Sequence, residues 1–269
     1  MGKDKNRNDK LARTLNNQRA MNDYDAEKGK HTARAIGHRE FPKLKPRNEE
    51  QNTLIKAIYN GGDLIVGGRA GTGKTFTSSV CALDMVLNDS YTYKKLVLIR
   101  PNQPLGPSVG MLKGDLIEKI WPWICPFVDA FDYRINRKEL TNMIEVGQME
   151  LVLVEHLQGR TFKDSIILVD EFQNMTEQAA KSLVGRKGEG SKLIIMHDLV
   201  QCILKPNELS GVEYIERIEY LAEKFGHRLP YRTIDLIQNE RSSESAWWTG
   251  MEDLYINYDF ENDTFINEE

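Results

Sequence analysis

The sequence predicts an α/β protein built on a mostly parallel β-sheet with helices on both faces. Short apolar runs recur along the chain, and stretches with helical spacing of apolar residues separate them. Strands that are buried on both faces of a parallel sheet have such continuous apolar runs instead of alternating polar and apolar residues. A glycine-rich stretch directly follows the first run, which predicts a ligand site at the carboxyl ends of the strands.

Six apolar runs are predicted strands, and five segments with helical spacing are predicted helices. The predicted strands are residues 63–66, 95–100, 150–155, 165–170, 192–198 and 233–237. The predicted helices are residues 48–60, 75–87, 112–120, 176–184 and 211–225. Because the two kinds of element alternate, helices are expected to cross over between parallel strands and to cover both faces of the sheet.

The glycine-rich stretch is "GGRAGTGKTF", residues 67–76, between the first strand and a predicted helix. The spacing of Gly68, Gly73, Lys74 and Thr75 fits G-x-x-x-x-G-K-[ST], the phosphate loop of nucleotide triphosphatases. Glycines let backbone N–H groups converge on phosphate oxygens at a helix N-terminus, where the helix dipole also favours an anion. Lys74 would reach the β and γ phosphates of ATP, and the Thr75 hydroxyl would bind Mg²⁺. The residues expected to contact the nucleotide are Gln51, Gly68, Ala70, Gly71, Thr72, Gly73, Lys74, Thr75 and Phe76.

Two acids end another predicted strand in "SIILVDEFQN", residues 165–174. Asp170 and Glu171 would face the phosphate loop if their strand lies beside the strand that precedes this loop. Asp170 is expected to hold the Mg²⁺ shell, and Glu171 to polarise a water for attack on the γ-phosphorus.

Two glutamines complete the predicted nucleotide site. Gln201 follows the strand that ends in "HDLVQ", where its amide can hydrogen-bond the γ-phosphate or the attacking water, or can be an ordinary loop amide. Gln51 precedes the phosphate loop, and its side-chain amide can accept from adenine N6 and donate to N7.

The charge of the chain is unevenly distributed. Formal net charge is −4, yet residues 1–47 contain 13 Lys and Arg against 6 Asp and Glu. We therefore divide the chain into a basic, largely disordered arm (1–45), a nucleotide-binding domain (46–245) and an acidic, aromatic extension (246–269). The arm would either bind polyanions through displacement of counterions or remain a solvated tail.

Several protein classes are excluded by composition. The longest apolar runs are shorter than the roughly twenty residues of a membrane helix, and "MGKDKNRNDK" lacks the apolar core of a signal peptide. A cytoplasmic protein without membrane contact is expected. Cys81, Cys125 and Cys202 are odd in number and far apart, so they predict buried free thiols instead of disulfides or a zinc site.

These motifs, taken in order, resemble a known family. Gln51, "GRAGTGKT", "DEFQN", "HDLVQ" and "LIQNERSS" resemble the first nucleotide-binding half of superfamily-one helicases. The longer stretches 98–131 and 157–176 are similar to the PhoH-like ATPases almost continuously, so the likeness covers roughly residues 46–245. The short form without an added nuclease domain resembles the phage-encoded members, which would place the protein in a host cytoplasm.

The resemblance implies a RecA-like P-loop NTPase fold that binds ATP and Mg²⁺. Lys74, Glu171, Gln201 and Arg241 would be the catalytic residues, with Gln201 as the γ-phosphate sensor and Arg241 as a cation for that phosphate. Thr75 and Asp170 would hold the metal. The implied activity is Mg²⁺-dependent ATP hydrolysis, with helicase-like coupling to single-stranded nucleic acid.

The nucleic-acid contacts are predicted from position. Arg100 ends a predicted strand and Pro101 directly follows it, at the place of the segment by which helicases contact a single strand, and Arg160 could line the same groove. RNA is the favoured polymer, although Arg100 and Arg160 could equally be structural partners of acids. The tryptophans are core or interface residues, or alternatively a base-stacking platform: Trp121, Trp123, Trp247 and Trp248. A second hypothesis is an ATP-dependent switch or scaffold for protein partners without helicase activity.

The sequence after Arg241 also predicts an assembly. Only residues 242–269 follow Arg241 in this sequence, which is too few for a second nucleotide-binding domain. A single open site lacks the cation clamp that arginine fingers supply in other triphosphatases, worth on the order of 10³ to 10⁵ in rate. A neighbouring copy could supply it, so a homo-oligomer is expected, with a hexameric ring as one form. Arg241 would act on the phosphate of its own subunit or of the next.

Overall fold

The structure is a computed structural model that describes residues 37–101, 116–205, 207–259 and 264–265. The strands are β1 (Asp63–Gly68), β2 (Lys95–Arg100), β3 (Met149–Leu153), β4 (Ser165–Val169), β5 (Lys192–Met196), β6 (Tyr231–Leu236), β7 (Tyr258–Asp259) and β8 (Thr264–Phe265). The helices are α1 (Glu49–Tyr59), α2 (Lys74–Leu87), α3 (Leu116–Phe131), α4 (Arg137–Glu145), α5 (Glu177–Val184), α6 (Gly211–Phe225) and α7 (Ser243–Ile256). Short 3₁₀ helices span Val154–His156, Phe172–Asn174 and Leu199–Gln201.

The first six strands form one sheet in the order β3-β2-β4-β5-β1-β6, and each of these pairings is parallel. This confirms the predicted fold class. All carboxyl ends of these strands therefore lie along one edge of the sheet, where α/β folds place their ligands. Strands β7 and β8 form a separate antiparallel pair.

Helices cover both faces of the sheet. Successive residues of each strand point to opposite faces, so each strand contributes side chains to both cores. Leu64 and Val66 of β1 belong to the core beneath α1, α2, α3 and α4, whereas Ile65 belongs to the core beneath α5 and α6. The same alternation places Leu98 on the first face and Val97 on the second. Burial on both sides explains why these strands have continuous apolar runs.

Local sequence signals set the ends of the helices. The Asn48 side chain caps α1 by accepting from the Gln51 N–H at 2.8 Å, which satisfies a donor that has no partner inside the helix. Helix α6 begins with a reciprocal capping box of Ser210 and Glu213 and ends at Gly226, whose φ is 70°. These caps match the boundaries predicted from spacing to within one residue.

The structure differs from the sequence predictions in four respects. Strand β4 does not lie beside β1, because β5 is inserted between them. Helices α4 and α7 were not predicted. The predicted helix at 112–120 lies in part outside the described residues, and α3 continues to Phe131. The expectation of three buried thiols is wrong, because only Cys81 is buried, whereas Cys125 is half-buried and Cys202 is exposed. The side chains of Trp121 and Trp123 lie outside the described part of the chain.

Within the described ranges, no helix has both the length and the apolar character required to cross a bilayer.

Candidate nucleotide site

A cavity of about 660 Å³ opens at the carboxyl ends of the strands. Its size falls in the ordinary range for small-molecule sites. The predicted site residues that line it are Gln51, Ala70, Gly71, Gly73, Lys74, Thr75, Phe76, Arg100, Asp170, Glu171, Gln201 and Arg241. The structure therefore brings together the end of β2 and the segments that directly follow β1, β4, β5 and β6. Gly68, Thr72, Pro101 and Arg160 are not among the residues that line it.

The phosphate loop follows β1 and leads directly into α2. Gly68 and Gly73 have φ of 143° and 88°, which are left-handed values that glycine adopts far more readily than other residues. A methyl group at Gly68 would lie 2.3 Å from the Leu236 carbonyl oxygen, so this position also needs glycine for lack of space. The loop is thus pressed against the end of β6 and presents the N-terminus of α2 to the cavity.

Lys74 is the buried cation of the loop. Its ammonium donates to the carbonyl oxygens of Gly68 and Arg69, the latter at 2.9 Å. Burial lowers the pKa of Lys74, while the charges of Asp198 and Asp170 act in the opposite direction and favour the ammonium form. A cation that lines the cavity beside the loop is placed to bind phosphate.

Asp170 and Thr75 form an oxygen pair at the base of the cavity. The Thr75 hydroxyl donates to Asp170 Oδ1 at 3.2 Å, although these residues come from non-adjacent parts of the sheet. Burial raises the pKa of Asp170 to about 6, with the neighbouring Glu171 charge adding to the rise. Mg²⁺ prefers oxygen ligands and is usually held by one or two carboxylates together with phosphates and waters. A hydroxyl beside a carboxylate fits that ion, and the described residues include no cluster of three or more His, Cys, Asp or Glu side chains for another metal.

Glu171 is held in a backbone conformation that glutamate rarely adopts, with φ of 54°. One carboxylate oxygen accepts from Arg100 Nη2 at 3.3 Å, and the other accepts from Gln173 Nε2 at 2.6 Å. A backbone of this kind persists only where the surrounding contacts fix the residue. The carboxylate is therefore fixed on two sides while it faces the cavity.

Gln173 is a site residue to which sequence reasoning gave no role. Its side chain is fully buried, and its Oε1 accepts from the Asp198 N–H at 3.0 Å while its Nε2 bonds Glu171. The next residue, Asn174, accepts from the Ile203 N–H at 2.9 Å. These bonds fasten the acid motif to the segment that carries Gln201. The motif "DEFQN" contains both amides, but their burial, which makes hydrogen-bond partners necessary, is visible only in the structure.

Gln201 ends a 3₁₀ helix directly after β5, and its side chain is exposed at the mouth of the cavity. Asp198 caps that short helix by accepting from the Val200 N–H at 3.2 Å. Burial lowers the pKa of His197, which lines the same wall. The imidazole is therefore neutral at pH 7.

Gln51 lies under the loop, and its amide already has protein partners. Its Nε2 donates to the Thr72 carbonyl at 3.0 Å, and its Oε1 accepts from the Arg47 N–H at 3.1 Å. An amide has two N–H donors and two acceptor lone pairs, so one of each remains for a base. Gln51 thus connects α1 to the loop as well as facing the cavity.

The segment after β6 is attached to both the loop and α1. The Glu240 N–H donates to the Gly71 carbonyl at 2.9 Å, and Asn239 Nδ2 donates to the Ala70 carbonyl at 3.2 Å. Arg241 comes next, is exposed, and lines the cavity of its own chain.

The two arginines predicted to contact nucleic acid have different surroundings. Arg100 lines the cavity and pairs with Glu171. Arg160 pairs with Glu150 and lies 5.0 Å over the Phe162 ring, away from the cavity.

The parallel sheet, the phosphate loop between β1 and α2, and the acids that follow β4 define a P-loop protein with a RecA-like α/β fold. The chain belongs to the PhoH family, since the family model described as PhoH-like protein matches residues 43–228.

Relatives with this family name are similar over much of the chain. Protein PhoH2 of Bacillus subtilis is 31% identical over 209 residues, which are 74% of this chain and 45% of the relative. A PhoH-like protein of Synechocystis is 33% identical over 65% of this chain and 53% of its own length. Protein PhoH of Escherichia coli K12 is 30% identical over 64% of this chain and 49% of its own length. The chain thus spans about half the length of the curated relatives it matches.

Solved structures with partial similarity include a large terminase and a helicase. The large terminase of a thermophilic bacteriophage has a TM-score of 0.47 at 12% identity, covering 76% of this chain and 50% of its own. The Pif1 helicase of Candida albicans has a TM-score of 0.40 at 18% identity, covering 77% of this chain and 43% of its own.

Proposed function

We propose that this protein is a Mg²⁺-dependent ATPase whose single RecA-like domain couples hydrolysis to the binding of single-stranded nucleic acid, with RNA favoured over DNA. The observation that supports this most is the convergence of Lys74, Asp170, Glu171 and Arg241 on one cavity beside a phosphate loop. A cation, a metal-binding acid, a base and a second cation are the parts that phosphoryl transfer to water requires.

Each residue has a distinct task in this proposal. Lys74 and the loop N–H groups bind the phosphates, and Gln51 meets the adenine edge. Thr75 and Asp170 would hold Mg²⁺, which neutralises phosphate charge when bound. Glu171 orients the attacking water and accepts its proton.

The far side of the cavity would recognise the terminal phosphate. Gln201 is exposed at the mouth and would hydrogen-bond the γ-phosphate, and Arg241 would stabilise the charge that develops there. Gln173 joins Glu171 to the segment that carries Gln201, so a movement of this segment would shift Glu171, and the reverse.

Arg100 provides a route by which a polymer would alter hydrolysis. Its guanidinium lies at the end of β2, next to Pro101, and is hydrogen-bonded to the base Glu171 at 3.3 Å. A phosphate of a single strand that binds Arg100 would compete with Glu171 for the same donors. The base would then be free to take a proton from water. Arg160 is a poorer contact because Glu150 and Phe162 already engage it.

ATP turnover measured alone, with poly-U RNA and with single-stranded DNA tests this proposal. We expect turnover to require Mg²⁺, to stop with EDTA, and to rise with polymer, more with RNA than with DNA. Arg100→Gln should lose the stimulation, while Arg160→Gln is the matched control that should keep it. Turnover that neither polymer changes would instead favour the ATP-dependent switch or scaffold for protein partners.

The remaining expectations also stay predictions. These are a cytoplasmic location, in a host cell if the chain is phage-encoded, and assembly into a homo-oligomer such as a hexameric ring.

A further inference from the structure

Helix α7 has a continuous apolar face that is exposed. Trp247, Met251 and Leu254 follow one another at helical spacing of four and three residues, so they lie in one line along the helix. Trp248 lies beside this line, is 68% exposed, and contacts Trp247 edge to face with 4.9 Å between ring centroids. Single exposed apolar residues are ordinary, but a contiguous patch of large ones marks an interaction surface.

A second exposed apolar line runs along α6. Ile218, Leu221 and Phe225 are spaced by three and four residues, and Phe225 is 66% exposed. Arg217 and Lys224 border this line on one side, by the same helical spacing. Glu213 lies on the same side as Arg217, four residues before it, whereas Glu216, Glu219 and Glu223 fall on the opposite side of the helix.

We propose that the α7 line of one copy packs antiparallel on the α6 line of a second copy of this chain. The spacing of the two lines is complementary in that direction: four then three along α7, and four then three along α6 read backwards. Trp247 would thus oppose Phe225, Met251 would oppose Leu221, and Leu254 would oppose Ile218. This is the arrangement by which two apolar helix lines interdigitate.

The charges of the two helices and the apolar area of their contact favour a second copy of this chain as the partner. The sequence of α7 contains acids and no Lys or Arg, whereas Arg217 and Lys224 border the α6 line. The side chains of the two lines are between 40% and 66% exposed. Together with Trp248 they would cover apolar surface on the order of 700 Å², since an aromatic side chain offers about 150–250 Å² when it is fully exposed. The polar rim would supply the rest of the roughly 1,000 Å² expected of a specific interface.

The contact joins two different surfaces, so it is head-to-tail. Every copy would offer one α7 and one α6, and repeating the contact produces a ring if the rotation closes. Helix α7 begins two residues after Arg241, so its seating on a neighbour would also fix the backbone that carries this cation. That consequence rests on the proposed ATPase function, but the contact itself does not.

Sedimentation velocity of the full chain without nucleotide tests the contact. Met251→Asp breaks the α7 line, Leu221→Asp breaks the α6 line, and Val184→Asp changes a similarly exposed apolar residue on α5 as the matched control. We expect wild type and Val184→Asp to sediment as oligomers, and each line variant alone to fall to the monomer. An equimolar mixture of the two line variants should form a one-to-one dimer, because one intact α7 then meets one intact α6.

Other outcomes of these experiments would contradict the proposed contact. A monomeric wild type, a mixture that fails to associate, or Leu221→Asp chains that pair through α7 alone would each overturn the head-to-tail contact. Loss of poly-U binding by Met251→Asp with unchanged sedimentation would assign α7 to base stacking instead. Circular dichroism shows whether each variant is folded. Lys74→Ala chains should still assemble, which separates failure of this contact from failure of the ATPase proposal.

Discussion

Both ends of the sheet contain buried charges, but the surroundings of these charges differ. At the carboxyl ends of the strands, Lys74 and Asp170 face a cavity of about 660 Å³. At the amino ends, Asp84 and Arg134 are paired by two hydrogen bonds of 2.8 Å each. We call the carboxyl ends of the strands the upper end of the sheet and the amino ends the lower end. The charges at the upper end are available to a ligand, whereas those at the lower end are paired with protein groups.

The lower end shows how the protein satisfies a charge for structural purposes. Arg134 also donates to the Pro42 carbonyl at 2.8 Å, and the Tyr59 hydroxyl donates to Asp84 at 3.2 Å. Lys192, only 1% exposed, donates to the carbonyls of Ala57 and Ile58 at the end of α1. The comparison teaches that buried charge alone does not identify a site. A site is indicated when the partners leave room for a ligand.

The largest expected effect is at the upper end. Lys74→Ala should lower ATP turnover by at least about three orders of magnitude, because the charge that develops on the phosphates loses its closest cation. Burial lowers the pKa of Lys74, so this charge is costly to the fold, and the variant should melt no lower than wild type. Turnover assays and thermal melts on the same preparation check both parts. A variant with normal turnover would show that the phosphates bind elsewhere.

The matching substitution at the lower end should do the reverse. Arg134→Met leaves the Asp84 carboxylate buried without its main partner, which costs about 3–5 kcal/mol of unfolding free energy. Nucleotide affinity of the folded fraction should stay unchanged. Urea unfolding measures the loss, and Arg134→Met combined with Asp84→Asn should recover part of it. Full stability in the single variant would mean that the ion pair contributes little.

Sequence reasoning predicted the upper end better than the rest of the fold. The strands are buried on both faces, so they have unbroken apolar runs, and the phosphate loop has a fixed spacing. The neighbour of β4 could not be predicted, because the order of strands depends on packing across the whole sheet. Asp170 nevertheless lies within 3.2 Å of Thr75, since all parallel strands end along the same edge.

The missed helices have physical explanations. Helix α4 buries only Leu140 and Met143, which is too few for an apolar pattern, although its capping box of Asn136 and Glu139 was a usable signal. The apolar residues of helix α7 are exposed, so a search of the sequence for a helix face that is buried in the same chain does not find it. Gln173 belongs to the motif "DEFQN", but its hydrogen bond with Asp198 joins two segments 25 residues apart, so the motif alone could not predict it.

A smaller effect is expected from the backbone of Glu171. Glu171→Ala and Glu171→Gly remove the same carboxylate and the same bonds to Arg100 and Gln173, so both should lose turnover. They differ in the left-handed φ of 54°, which costs a residue with Cβ about 1–2 kcal/mol and glycine almost nothing. Glycine should therefore be the more stable by about 1 kcal/mol in urea unfolding. Alanine is usually the more stabilising of the two residues, so the expected order is the reverse of the usual one. If the alanine variant were the more stable, the backbone of residue 171 would not be strained.

The smallest effect tests whether the lower end is as fully satisfied as its hydrogen bonds indicate. Burial lowers the pKa of Lys192 from 10.5 to about 8. Below pH 8 the folded and unfolded chains both hold this proton, so Lys192 adds no pH dependence there. Between pH 8 and 10.5 the unfolded chain holds the proton and the folded chain has lost it. Stability should therefore rise with pH, with a limiting slope of about 1.4 kcal/mol per pH unit.

Other groups titrate in the same range, so the measurement is a difference between wild type and Lys192→Met. Urea unfolding at pH 7, 8 and 9 should show this difference rising by no more than about 1 kcal/mol between pH 8 and 9, and staying flat below pH 8. Lys56→Met, which removes an exposed ammonium, is the matched control. A flat difference through pH 9 would mean that the carbonyls of Ala57 and Ile58 keep the ammonium charged at the C-terminal end of α1. The lower end would then keep its ammonium charged in spite of burial, which would sharpen the contrast between a structural charge and one that is available to a ligand.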